Sequence, residues 1–235
     1  EEGQTVLKDL SLHVRPGERI ALVGPTGAGK STVVNLLCRF YNLRGGKITL
    51  KCEDGSEQDI SQVTLESLRS QLGIMLQDSF IFSGTILSNI RYGKLDATDE
   101  EVITAAKAVC AHEFIDQMPQ RYQTPVNERG SGLSQGQKQL IAFARTLLSD
   151  PKILILDEAT SSIDTKTERL LQQGIEALLK GRTSFIIAHR LSTIKSCDRI
   201  LFIGDGGILE AGSHDELMAK KGRYYDLYTA QMQTV

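Results

Sequence analysis

Two stretches of the chain bring together residues that could work on phosphate. Gly24-Pro25-Thr26-Gly27-Ala28-Gly29-Lys30-Ser31 fits the pattern G-x-x-x-x-G-K-[S/T]. It follows a short apolar run, Arg19 to Val23, and opens an apolar helical run that reaches about Phe40, the context this pattern requires. Glycines let such a loop curl until several N–H groups point inward at phosphate oxygens, and the helix N-terminus adds positive potential. Lys30 has the length to reach the β- and γ-phosphates, and the Ser31 hydroxyl is a hard oxygen ligand of the kind Mg²⁺ takes. Thr32 continues the loop into the helix.

The second stretch is Ile153-Leu154-Ile155-Leu156-Asp157-Glu158. Four apolar residues bury a strand whose end delivers two carboxylates. In open α/β sheets, ligands gather at the carboxyl ends of strands. Asp157 suits a Mg²⁺ role. Glu158 points a different way and is placed to polarise an attacking water. The expected ligands are therefore the phosphates of a nucleotide and Mg²⁺, with Ser31 and Asp157 on the metal.

The elements that must position these residues alternate. Val6 to Val14 alternates in polarity and predicts a strand, followed by a turn at Pro16-Gly17. Strands are predicted at Arg19 to Val23, Lys47 to Cys52, Ile74 to Leu76, Ile153 to Leu156, Ser184 to Ile187 and Arg199 to Ile203. A helix is predicted from about Thr165 to Leu179. Between Thr85 and about Ser149 helices dominate. One of them runs from Asp99 to Cys110 with Asp99 as N-cap, and another starts near Ser134. In the latter, Leu140, Ile141, Ala144, Leu147 and Leu148 follow the spacing of one buried face. The fold class predicted is α/β: a parallel sheet with crossover helices around a phosphate-binding loop, an antiparallel region near the N-terminus, and an inserted helical subdomain. The whole chain, 1–235, reads as one domain. Its catalytic core is 1–84 and 150–235, and its helical subdomain is 85–149.

Composition narrows the class further. The chain has 235 residues, 40% of them apolar and 24% charged, with a net charge of −2. These values suit a globular core, and the charge gives no reason to expect a nucleic-acid partner. Cys38, Cys52, Cys110 and Cys197 have no metal-ligand spacing and read as reduced thiols. No apolar run approaches the ~18 residues of a membrane span. His13, His112 and His214 read as surface or packing residues.

A phosphate loop alone leaves GTPases, kinases, helicases and transport motors open. Leu133-Ser134-Gln135-Gly136-Gln137 resembles the LSGGQ signature of ATP-binding cassette (ABC) proteins, with glutamine for glycine at Gln135. Ser134 can cap a helix whose N-terminus offers a second anion site. Order and spacing then resemble that family over nearly the whole chain. The resemblance implies that Gln77 senses Mg²⁺ and water, that Asp164 lies in the loop crossing a dimer interface, and that His189 contacts the γ-phosphate. Phe80 to Ile86 with Asn89 to Gly93, and Val126 to Gly130, resemble exporter segments, the latter a loop that meets transmembrane coupling helices.

The resemblance therefore implies an ATPase motor at the cytoplasmic face of a membrane. It would pair head to tail with a second nucleotide-binding domain and attach to a transmembrane domain. The signature would serve the partner's ATP. The glutamine at 135 favours a heterodimer over a homodimer, on the expectation that it weakens this chain's half-site. The family also stacks adenine on an aromatic residue shortly before the first strand. None lies between Glu1 and Leu12, so either it lies upstream of Glu1, the preferred expectation, or adenine is held otherwise. The competing reading is a soluble cassette acting on ribosomes or DNA. A P-loop kinase or GTPase leaves the signature unexplained, and no N-K-x-D stretch occurs.

Overall fold

The structure, a computed structural model, describes residues 6–52, 54–75, 79–157, 164–188 and 191–232, with the side chains of Lys166 and Gln231 also outside the description. In chain order the elements are β1 (Arg19–Val23), α1 (Lys30–Leu37), β2 (Thr49–Lys51), β3 (Glu57–Asp59), α2 (Leu65–Ser70), β4 (Leu72–Met75), β5 (Gly84–Thr85) and α3 (Ile86–Arg91). They continue with α4 (Asp99–Ala108), α5 (His112–Asp116), β6 (Pro125–Val126), α6 (Gln135–Leu148), β7 (Ile153–Asp157) and α7 (Thr165–Leu179). The last are β8 (Thr183–Ile187), α8 (Leu191–Lys195), β9 (Arg199–Gly204), β10 (Gly207–Gly212), α9 (His214–Lys220) and α10 (Arg223–Met232). They divide into two compact bodies.

The first body comprises the described parts of 1–72, 155–158 and 183–235. Its sheet runs β10-β9-β1-β8 and continues to the Ile155–Asp157 end of β7. β1 pairs in parallel with β8, Arg19 opposite Ser184 through Leu22 opposite Ile187. On its other side it pairs in parallel with β9, Ile20 opposite Arg199 through Val23 opposite Phe202. A strand flanked on both sides and covered on both faces must be apolar throughout. Ile20, Ala21, Leu22, Ile186, Ile200, Leu201 and Ile203 are accordingly buried.

β10 folds back antiparallel on β9 across Asp205-Gly206, both with positive φ (49° and 87°). This Asp-Gly hairpin adds an edge strand that the sequence reading did not include. β2 and β3 form a separate antiparallel pair around Asp54-Gly55-Ser56.

Val6 to Val14 forms no strand in the structure. Leu10, Leu12 and Val14 do alternate inward, as their polarity suggested, but alternation only selects a face. A strand also needs a neighbouring ladder, and here Asp9 adopts a left-handed conformation (φ 46°). The segment meets the β9–β10 turn through the Lys8 N–H donating to Gly206 O at 2.6 Å.

The second body comprises the described parts of 73–154 and 159–182. It is helical, with β4 and the start of β7 as its strands and a short β5–β6 pair. α6 is its centre. Leu140, Ile141 and Ala144 are buried as expected, but so are Ala142, Phe143 and Thr146, while Leu147 and Leu148 are half-buried. The helix is wrapped by α3, α4 and α7 rather than buried on a single face. α4 starts at Asp99, yet its N-cap is Thr98, whose hydroxyl accepts from the Glu101 N–H while Glu101 reaches back to Thr98 N–H. Asp99 instead contributes negative charge in the first turn, where the helix dipole favours it.

Among the described residues no helix is long and apolar enough to cross a membrane, and no group of ligating side chains could by itself hold a metal.

Candidate functional site

β1 ends at Val23, and α1 starts at Lys30 behind Gly29, which takes a left-handed conformation (φ 102°). The six residues between form the loop. Gly24 has φ 140°, and a Cβ there would run into the Ile203 carbonyl oxygen of β9. Only glycine lets the chain turn this tightly beside the neighbouring strand. Pro25, Thr26, Gly27 and Ser31 are exposed, whereas Gly29 is buried. Gly29 offers no side-chain cap, so the first N–H groups of α1 are left to outside acceptors. Val33 and Val34 turn the other face of α1 into the core.

Lys30 folds back over its own loop. Its ammonium donates to Gly24 O at 2.8 Å and Pro25 O at 2.9 Å. Burial lowers its pKa, and the charge of Asp157 opposes that shift. Asp157 at the end of β7 is thus brought to the phosphate loop, as the sequence reading expected of a strand end. The donor set fits Mg-ATP. Inward N–H groups and an ammonium suit the phosphates, and the Ser31 hydroxyl and Asp157 carboxylate are hard oxygens suited to Mg²⁺. Ala28 and Thr32 complete the loop and first turn, both half-buried. Gln77, Glu158 and His189 lie outside the described residues.

The second predicted group sits in the helical body. Leu133 N–H donates to Gly130 O, closing a turn into α6. Ser134 is the N-cap: its Oγ accepts from Gln137 N–H at 3.2 Å, and Gln137 Oε1 accepts from Ser134 N–H at 2.9 Å. Gln137 is therefore held in a reciprocal capping box, a role readable from S-x-x-Q. Gln135 occupies the first helical position and is half-buried, and Gly136 is buried. Asp164 caps α7, accepting from Thr167 N–H at 3.0 Å.

Sequence reasoning missed Asn89 and Arg145. Asn89 is 1% exposed, and its side chain bridges Phe82 and Thr85. Arg145, deep in α6, donates to it. A charged residue on the buried side of a helix was the available signal.

His112 pairs with the Tyr122 hydroxyl at 3.0 Å and His214 with that of Tyr224 at 2.8 Å, so both are packing residues.

The phosphate loop and a strand-end carboxylate thus belong to the first body, and the capped signature helix belongs to the second. The ABC transporter family model matches residues 7–161. The chain belongs to the ABC transporter family. Over 233 residues it is 54% identical to YfiC, an uncharacterized ABC transporter ATP-binding protein of Bacillus subtilis, covering 99% of this chain and 38% of that protein. It is 50% identical to a fatty acid ABC transporter ATP-binding/permease protein of Mycobacterium tuberculosis, covering 97% of this chain and 35% of the relative. A solved bacterial Atm1-family ABC exporter with ATP bound superposes with a TM-score of 0.88 at 46% identity, over 98% of this chain and 40% of that one. The chain thus spans less than two-fifths of the length of these two curated relatives. Its fold is that of an ABC nucleotide-binding domain, related to the exporter branch.

Proposed function

We propose that the chain is the ATP-hydrolysing motor domain of an ABC exporter. It would pair with a second nucleotide-binding domain and with a transmembrane partner at the cytoplasmic face of a membrane. The observation that carries this reading is the convergence of the Gly24–Thr32 loop, Lys30 and Asp157 in one body. The likeness to an exporter solved with ATP supports it, as does a relative whose name joins ATP-binding and permease functions.

In this reading the loop N–H groups and Lys30 hold the phosphates. Lys30 exchanges the Gly24 and Pro25 carbonyls for phosphate oxygens, keeping its charge satisfied throughout. Ser31, Asp157 and Gln77 would hold Mg²⁺. When bound, Mg²⁺ neutralises charge on the phosphate oxygens. Glu158 orients and deprotonates water. The water oxygen forms a bond to the γ-phosphorus while the bond to the β–γ bridging oxygen breaks, so the electron pair leaves with ADP. His189 steadies the γ-phosphate.

The signature Leu133–Gln137 completes the partner's site rather than its own, with Asp164 at the interface between chains. Closure of the pair assembles the catalytic constellation, and hydrolysis releases it.

The test pairs two variants. Glu158→Gln should keep ATP affinity and lose about 10²–10⁴-fold in turnover. Lys30→Ala should lose the affinity itself. Phosphate release and nucleotide titration measured together separate the two. Near-normal turnover in Glu158→Gln would remove that residue from catalysis.

A further inference from the structure

α6 carries the signature in its first turn. Eleven residues after Ser134, about three helical turns along, it carries Arg145. Arg145 is the hub of a polar knot within the helical body. Its Nε donates to Asn89 O at 2.8 Å, its Nη1 to Phe80 O at 2.9 Å and its Nη2 to Asn89 Oδ1 at 2.9 Å. Asn89 Nδ2 in turn donates to Phe82 O at 2.9 Å and Thr85 O at 3.0 Å, and Phe82 N–H donates to Asn89 Oδ1 at 2.9 Å.

The guanidinium face is covered by aromatic rings. Its Cζ lies 5.2 Å from the Phe82 ring centre and 5.9 Å from that of Tyr92, within cation–π range. Phe80, Phe82 and Tyr92 form a continuous strip, with ring centres 5.0 Å and 4.6 Å apart, and all three are exposed. Where α3 ends, a Cβ at Gly93 would run into the Arg145 carbonyl oxygen, so the chain just past α3 meets α6 backbone to backbone.

The same strip grips the other side of the signature. Arg129 N–H donates to Ile81 O at 3.0 Å, four residues before Leu133. The Phe80–Phe82 segment therefore holds α6 through Arg145 and holds the approach to its first turn through Arg129.

We propose that Arg145 is the positioning residue of the signature, locking α6 to the exposed strip Phe80–Phe82–Tyr92 so that strip and signature move as one piece. A load applied to the strip then reaches the Ser134 end of α6 without passing through the phosphate loop. A guanidinium is needed because three acceptors and two ring faces meet one planar fork, which an ammonium cannot match. The inference rests on the reading that one chain's signature serves another chain's ATP.

Arg145→Lys keeps the charge and loses the fork. At a protein concentration where the unaltered chain turns over, ATP affinity should stay within about twofold, because the phosphate loop is untouched, while turnover falls about tenfold or more, as misplacement by an ångström can cost up to about 10²-fold. Mixing it with the inactive Glu158→Gln chain should restore turnover. The Arg145→Lys chain then supplies an intact phosphate loop and Glu158, and its companion an intact signature. General destabilisation would not be rescued this way. Ser134→Arg mixed with Glu158→Gln is the control.

Unchanged turnover in Arg145→Lys overturns the inference. So does a mixture that fails to recover while the Ser134→Arg control pair recovers. If neither pair recovers, the composite-site reading falls and takes the inference with it. Should Arg145→Lys not fold, the exposed pair Phe82→Leu and Tyr92→Leu removes the stacking but leaves the hydrogen bonds. It should give the same pattern with a smaller loss, and unchanged turnover there also overturns the inference.

Discussion

The Lys30 ammonium donates to the carbonyl oxygen of Gly24 at 2.8 Å, across a loop whose first residue must be glycine. The loop thereby holds its own cation against the backbone that phosphate oxygens would approach. Burial takes the Lys30 pKa down, and Asp157 only partly opposes this. The charged form is therefore disfavoured by folding at every pH below the folded value. The penalty fades only as pH rises through that value toward the ordinary lysine range.

Lys30→Met removes this penalty together with the phosphate contact. The nucleotide-free variant should melt no lower than the unaltered protein at neutral pH. Its stabilisation by Mg-ATP, about 2.7 kcal/mol at a hundred times Kd, should vanish. Thermal unfolding with and without Mg-ATP checks both halves, and a preserved ligand shift would contradict the assignment.

Gly24→Ala forces a side chain into positive φ against Ile203 O. Backbone strain alone is worth about 1–3 kcal/mol. A lowered denaturant midpoint and weakened ATP binding are expected together. A midpoint equal to that of the unaltered chain would show that the loop relaxes freely.

Ser134→Ala deletes the cap of the signature helix, at about 1 kcal/mol of stability. It should leave the chain's own ATP affinity unchanged and lower turnover of the pair. Gln135→Gly should alter nucleotide handling at the partner's site only, if the natural assembly is a heterodimer. An active homodimer with two equivalent ATP sites would sink the heterodimer reading.

Turnover per chain should rise with protein concentration, because half of each site comes from another molecule. Tethered halves experience about millimolar effective concentration, which a dilute domain lacks. Constant specific activity across a wide dilution series, with a monomer by light scattering, would argue against composite sites.

Much of the site was legible because its chemistry is local. The glycines, Lys30 and Ser31 lie within eight residues, and a strand-to-helix turn forms from that sequence alone. The Ser134 cap was likewise local, and the Gln137 half of its box could have been read from spacing. Val6 to Val14 was misread because alternation reports burial but not the presence of a neighbouring ladder. Thr98 was overlooked in favour of Asp99 because both residue types cap, and only backbone conformation decides which one does.

The sequence by itself determined the phosphate loop, the carboxylate-ended strand β7, the signature helix and the family. Each depends on contiguous residues, whose periodicity and turn chemistry act over a few ångströms. Tertiary structure alone decided that β1, first in sequence among the strands, lies between β8 and β9. It also decided that the Asp157 charge reaches Lys30 from 127 positions away, and that Arg145 finds Phe80 and Asn89. These pairings join residues far apart in the chain. In the last case, packing α6 among its neighbours leaves a half-buried guanidinium that must find acceptors, and no local pattern encodes which acceptors those are.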